Sequence, residues 1–114
     1  MDAFIRYTWL YPITHKNDAF SIFLKFQKHV ERFFNLKIKL VQTDWGGAYC
    51  TLSNFFENYG FLHLVSCPHT QQQNGVVERK HCHVVETGLL LLSHTSLPFC
   101  LWDEAFQTAC YLIN

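Results

Sequence analysis

The order of two hydrophobic periods near the start of the sequence restricts the fold more than any other feature. Arg6 to Tyr11 alternates, with Tyr7, Trp9 and Tyr11 on one face and Arg6, Thr8 and Leu10 on the other. A period of two with aromatic enrichment predicts a strand, which Pro12 ends, and Met1 to Ile5 reads as the tail of a preceding strand. Thr14 to Asp18 supplies helix-capping side chains. From there to about Phe34, the residues Phe20, Phe23, Val30, Phe33 and Phe34 recur at helical spacing, with Phe26 widening the stripe. Lys25, Lys28, Glu31 and Arg32 lie towards the other, solvated side. Leu36 to Gln42 returns to alternation, with Leu36, Ile38 and Leu40 opposing Lys37 and Lys39. Strand, long helix and strand imply a crossover, so the fold class is α/β with a mixed sheet. The aromatic face of Arg6 to Tyr11 packs a core on this reading; a base-stacking platform is the alternative.

Asp44 leaves the second strand at its C-terminal end, where open α/β sheets place ligands, and Gly46-Gly47 turns the chain. Thr51 to Tyr59 predicts a short helix with Gly60 as its C-cap, and Phe61 to Val65 a short strand. Ser66 to Gln73 lacks apolar periodicity and reads as a loop. Asn74 can cap the next helix, and Gly75 permits close approach of another backbone. Val77, Val84, Val85, Leu89 and Leu92 mark that helix's buried side, and Gly88 on the same face would let a neighbour pack close. Ser96-Leu97-Pro98 opens a last helix with Trp102, Ala105, Phe106, Ala109 and Leu112 on one side.

Two acids stand out in this frame: Asp44 at a strand end and Glu78 in the first turns of a helix. Brought together, they form a metal-dependent phosphoryl-transfer layout, since Mg²⁺ takes a few carboxylates plus waters and phosphate oxygens. The plainer account makes Asp44 a turn residue and Glu78 a partner of the helix dipole. Arg79, Lys80 and His83 are candidate nucleic-acid contacts, with solvated helix charge the alternative for each; Asn74 at the helix start is a further candidate, with helix capping the alternative.

Composition narrows the classes. Apolar residues at 49% and aromatics at 17% of 114 residues exclude disorder and allow one domain at most. Nine Lys and Arg balance nine Asp and Glu, so no strong basic field announces nucleic acid. Leu89 to Leu92 is far too short to span a bilayer, and Met1-Asp2 does not open a signal peptide, so no membrane partner is expected. The five cysteines contain no C-x-x-C and leave one unpaired, which fits a reduced, intracellular setting. Cys67-x-His69 and His81-Cys82-His83 lack zinc-finger spacing, and neighbours on a helix point in different directions, so no zinc is expected. A Cys67–His69 nucleophile pair lacks a recognisable orienting acid.

RYTWLYP at 6–12, QTDWGG at 42–47, SCPHTQQQNGVVERKH at 66–81 and the closing LPFCLWDEAFQTACYLIN occur together, in that order. In these blocks the chain resembles the catalytic core of copia-type retrotransposon integrases over essentially its whole length. The resemblance implies a ribonuclease H-like mixed sheet flanked by helices. It also implies a metal-binding triad of two aspartates and a glutamate that uses Mg²⁺ (or Mn²⁺) to join element DNA ends to target DNA. Asp44 matches the second aspartate and Glu78 the glutamate. A nuclear location, DNA partners and homo-oligomers are properties of the family, whose zinc module is a separate N-terminal domain.

The family's first aspartate lies on a first strand upstream of the segment that here reads MDAFIRYTWLYP, and Asp2 matches a different acid. Residues 1–114 are therefore expected to be a partial integrase catalytic core, lacking the first, central strand and inactive alone. That loss would leave Met1–Ile5 and Leu36–Gln42 with unpaired edges, and an aggregated or molten chain. Trp45 stands where the family has asparagine, Ala48 where it has glutamate and Gln71 where it has a second proline, and the interval from Asp44 to Glu78 is slightly short. The alternative function is a non-catalytic remnant that at most binds nucleic acid or protein. A related ribonuclease H-like nuclease fits the NGVVERKH block poorly.

Overall fold

A computed structural model describes residues 1–44, 47–66 and 71–114, with the backbone alone at 48–51 and 71–74. The chain is α/β. Four helices, α1 (Ala19–Phe34), α2 (Gly47–Asn58), α3 (Gln71–Thr95) and α4 (Trp102–Ile113), accompany two strands, β1 (Leu40–Thr43) and β2 (Leu62–Val65). Short 3-10 turns at Lys16–Asp18 and Phe99–Leu101 precede α1 and α4. Among the described residues no helix is long and apolar enough to cross a membrane. The chain divides into two compact units, one of residues 13–74 and one of 1–12 with 75–114.

In the unit of residues 13–74, β1 pairs with β2 in parallel, with Leu40 opposite Leu62 and Thr43 opposite Val65. Parallel neighbours need a crossover, and α2 supplies it. Its end is built by Gly60, whose φ of 74° places it in the left-handed region. The Gly60 N–H donates to the Glu57 carbonyl (3.2 Å), and the Phe61 N–H to the Phe56 carbonyl (2.9 Å), the paired bonds of a Schellman motif. The expected C-cap is therefore present. The motif turns Phe61 back onto Phe56, and with Leu52 they form the buried core, against which Phe23, Ile38, Val41 and Phe55 pack. Phe23 of α1 meets Phe56 edge-on at 5.0 Å between ring centroids, and Phe20 meets Phe55 likewise at 5.1 Å. Helix α1 stops at Asn35, which adopts the left-handed conformation that Asn tolerates.

Several expectations in this unit are corrected. The strand predicted over Leu36 to Gln42 runs from Leu40 to Thr43. Ile38 and Val41 face the core, whereas Leu36 and Leu40 are exposed. Ile38 is pinned ahead of the strand by its N–H, which donates to the Glu31 carboxylate (3.0 Å). The stripe on α1 is nowhere fully buried: Phe23, Phe26 and Val30 are half-buried, whereas Phe20, Phe33 and Phe34 are exposed, because α1 meets its neighbours through ring contacts of Phe20 and Phe23 near its start. The loop expected to run to Gln73 is helical from Gln71; glutamine favours helix without needing an apolar stripe. Asn74 therefore lies within α3 rather than capping it. Residues 67–70, which contain the Cys67 and His69 candidates, fall outside the described residues, as does Trp45.

In the other unit, Val84 of α3 and Ala109 and Cys110 of α4 form the core, with Leu10, Leu91, Phe106 and Ile113 packed against them. Gly88 permits the close contact anticipated from the sequence: a Cβ there would lie 2.6 Å from Cδ1 of Phe106. The predicted burial of Val77, Leu89, Trp102 and Leu112 is overturned, since all four are exposed. The helix–helix seam runs instead through small residues, Gly88 against Phe106 and Ala109 beside Val84.

Neither Met1–Ile5 nor Arg6–Tyr11 is a strand. Asp2 folds the first residues onto themselves: its Oδ1 accepts from the N–H groups of Phe4 (2.8 Å) and Ile5 (2.7 Å). Its own N–H donates to the Tyr7 carbonyl (2.8 Å), and Arg6 turns through a φ of 61°. An Asx turn competes with any ladder for those donors. Beyond it the Tyr7 and Trp9 rings share a side, 4.8 Å apart, as alternation requires. Thr8 in this segment is held by a side chain: Asn114 Oδ1 accepts from the Thr8 N–H (2.8 Å), and its Nδ2 donates to the Thr8 carbonyl (2.8 Å). Cys110 Sγ adds a third contact to that carbonyl (3.3 Å). The mixed sheet is thus reduced, among the described residues, to one parallel pair.

Candidate carboxylate and basic sites

Asp44 follows β1 directly and is exposed. Its place at the C-terminal end of a parallel strand agrees with the sequence reading. Two cross-strand contacts sit beside it. The Gln42 amide donates to Ser66 Oγ (3.2 Å), and Thr43 Oγ1 lies 2.9 Å from His63 Nε2. The Ser66 N–H donates to the Thr43 carbonyl (3.0 Å), extending the ladder one residue past β2. The His63 ring rests on Phe56, 4.7 Å between centroids, so the aromatic core supports the site from below. Sequence reasoning missed Ser66 and His63. Their signal was only that each follows the alternation of β2.

Glu78, Arg79, Lys80 and His83 lie within α3, in the other unit; because the helix begins at Gln71, Glu78 is inside it and not in its first turn as expected. Glu78, Arg79 and His83 are exposed. Arg79 and His83 are one helical turn apart and therefore point the same way, away from the Val84–Gly88–Leu92 stripe. Lys80, one turn before Val84, leans to the buried side. Its Nζ donates to the Ile113 carbonyl (3.4 Å), placing a cation at the C-terminal end of α4, where the helix dipole favours one. The side chain of Asn74 falls outside the described residues.

The donors on offer suit a hard cation: Asp44 and Glu78 are carboxylates, and oxygen is what Mg²⁺ and Mn²⁺ take. Among the described residues no three His, Cys, Asp or Glu side chains gather into a metal-binding group. Burial pushes the Cys110 thiol upward, against smaller opposing effects of the Asn114 hydrogen bond and Lys80. The thiols of Cys82 and Cys100 are exposed.

An α/β chain with an acid at the end of a parallel strand is a broad class, and similarity to known proteins narrows it. No family model matches the sequence. Over the whole chain it is 46% identical to the retrovirus-related Pol polyprotein from transposon RE1 of Arabidopsis thaliana, and 45% to that from transposon RE2 of the same plant. It is 38% identical to the retrovirus-related Pol polyprotein from transposon TNT 1-94 of Nicotiana tabacum. The chain spans 8–9% of the length of these relatives. It is thus homologous to a short stretch of retrotransposon Pol polyproteins.

Proposed function

We propose that these 114 residues are part of a copia-type integrase catalytic core with a ribonuclease H-like fold, whose activity is metal-dependent strand transfer to DNA. The observation that carries this reading is Asp44, held within QTDWGG at the C-terminal end of β1, in a chain similar throughout to transposon Pol polyproteins. Asp44 and Glu78 are the residues that would hold Mg²⁺ or Mn²⁺. When bound, the metal stabilises charge on the transferring phosphoryl group and activates the attacking oxygen. Arg79 and His83, exposed on one side of α3, would orient DNA phosphates, with Asn74 near the helix start. Lys80 would do so only by giving up its contact with Ile113. Element ends and target DNA are the partners on this reading, further copies of the chain the assembly, and the nucleus its place of action.

The chain supplies two of the three carboxylates of such a site, so strand transfer by 1–114 alone is not expected. Balanced charge and a short basic cluster also predict weak, non-specific DNA binding with a shallow salt dependence, since few phosphates are neutralised. The second reading is a non-catalytic remnant that at most binds nucleic acid or protein. The test is a Mn²⁺ titration of the chain followed by amide resonances. Broadening centred on both Asp44 and Glu78, lost at both in Asp44→Asn, supports the integrase reading. Broadening elsewhere, or none, overturns it. Joining of a labelled DNA end by 1–114, abolished by Asp44→Asn, would overturn the expected inactivity.

A further inference from the structure

The peptide that leads into Asp44 is tied down on both faces of the β1–β2 ribbon. Successive residues of a strand point to opposite faces, so Gln42 and Thr43 reach across to β2 on different sides. On one side the Gln42 amide donates to Ser66 Oγ (3.2 Å); on the other Thr43 Oγ1 meets His63 Nε2 (2.9 Å). Between them the Ser66 N–H donates to the Thr43 carbonyl (3.0 Å), which belongs to the same peptide unit as the Asp44 N–H. Gln42, Thr43 and Ser66 thereby close a small ring of hydrogen bonds around the backbone that carries the carboxylate. Ser66 is 4% exposed, so its side of the ring is shielded from competing water, whereas Gln42 is reached from solvent. A ribbon of two short strands has few ladder bonds with which to hold its end, and these side chains add to them.

We infer that Ser66 is a positioning residue for Asp44: its N–H and its Gln42-held hydroxyl set the angle at which the carboxylate is presented to a divalent cation. This rests on the reading of Asp44 as a metal ligand. Groups that orient a ligand from behind normally change metal affinity by roughly 10–100-fold when removed. The experiment is Mn²⁺ titration of the 114-residue chain and its variants by paramagnetic broadening of the Asp44 amide, with hydrogen exchange at the Ser66 amide as a metal-free readout. Ser66→Ala and Gln42→Ala are each expected to weaken Mn²⁺ binding at Asp44 roughly tenfold. Both should speed Ser66 exchange, while Ser66→Thr, which keeps the hydroxyl, retains wild-type affinity. Gln42 is exposed, so its variant serves even if Ser66→Ala does not fold. Unchanged Mn²⁺ affinity in folded Gln42→Ala or Ser66→Ala overturns the positioning role while leaving Asp44 a ligand. A wild-type chain whose broadening does not depend on Asp44 overturns the integrase reading and this inference with it.

Discussion

The two units reach stability by opposite routes. Residues 13–74 bury large rings, Phe56 and Phe61 with Phe23 and Phe55 around them, contributed by segments close in sequence. The other unit packs small residues, Val84, Ala109 and Cys110 with Gly88 at the seam, and fastens residues at one end of the sequence to residues at the other. An aromatic core gains mainly from area removed from water and tolerates irregular geometry. A small-residue seam depends on fit, and its polar ties depend on single hydrogen bonds. Each unit is therefore brittle in its own way: one should fail when volume is removed, the other when volume is added or one amide is lost.

Removing volume should give the largest effect. Phe56 is fully buried and sits beneath both Phe23 and His63. Phe56→Ala is expected to cost about 3–5 kcal/mol. Hydrogen exchange should localise that loss to amides of residues 13–74, including those flanking Asp44. Uniform destabilisation of the whole chain would break the contrast between the units.

Next in size is the amide tie. Asn114→Ala removes both contacts with Thr8, leaving the Thr8 N–H to find water and its carbonyl with the Cys110 thiol alone, a loss of about 1–3 kcal/mol. Asn114→Asp keeps an acceptor for the Thr8 N–H but loses the donor to its carbonyl, and should fall between. Exchange at the Thr8 amide is the measurement. Unaltered protection in Asn114→Ala would show that Cys110 and Leu10 hold the segment without it.

These ties also mark the limit of what the sequence discloses. Helical periods were legible: α1, α2 and α4 lie where apolar spacing and Gly60 put them, within a few residues. Alternation from Arg6 to Tyr11 reported extended backbone but could not say what would pair with it. Its Thr8 is held by the side chain of a residue 106 positions away. Asp2 likewise carries no periodic signal, yet its Asx turn decides the course of Met1–Tyr7. The start of α3 was missed because a glutamine run is favourable for helix without being amphipathic. Of the site, Asp44 was visible as an acid at a strand end, and Glu78 as an acid on a helix, although α3 begins at Gln71 and so places Glu78 inside the helix and not at its start; Ser66 and His63 became visible only once the parallel register was known.

A third, smaller effect should sharpen the comparison at the seam. Gly88→Ala gains about 1 kcal/mol of helix propensity but drives a Cβ into the Phe106 ring. Overpacking of that kind costs about 1–3 kcal/mol, so a net destabilisation near 1 kcal/mol is expected. In a Phe106→Leu background the ring is gone and the same substitution should become neutral or stabilising. Additivity of the two changes in thermal unfolding would mean that Gly88 and Phe106 do not share the contact.

The smallest effect is one of pH, and it belongs to the small-residue core. Burial raises the Cys110 thiol, so the folded state holds its proton at pH values where the unfolded chain has begun to release it. Between the ordinary thiol value and the raised one, the unfolded state binds fewer protons, and linkage makes stability fall as pH rises through that window. Below the ordinary value both states are protonated and the group contributes no pH dependence. The decline should be slight, because Lys80 and Asn114 oppose the shift. Labelling with iodoacetamide offers a more sensitive reading, since the thiolate is the reactive form. Cys82 and Cys100, both exposed, should be modified before Cys110, which follows only at higher pH or on unfolding. Cys110→Ser should move the alkaline arm of the stability curve, whereas Cys82→Ser should not. Equal labelling of Cys110 and Cys82 near neutrality would show that the core around Ala109 opens readily, and that fit does not protect this unit as the packing of Val84 and Ala109 implies.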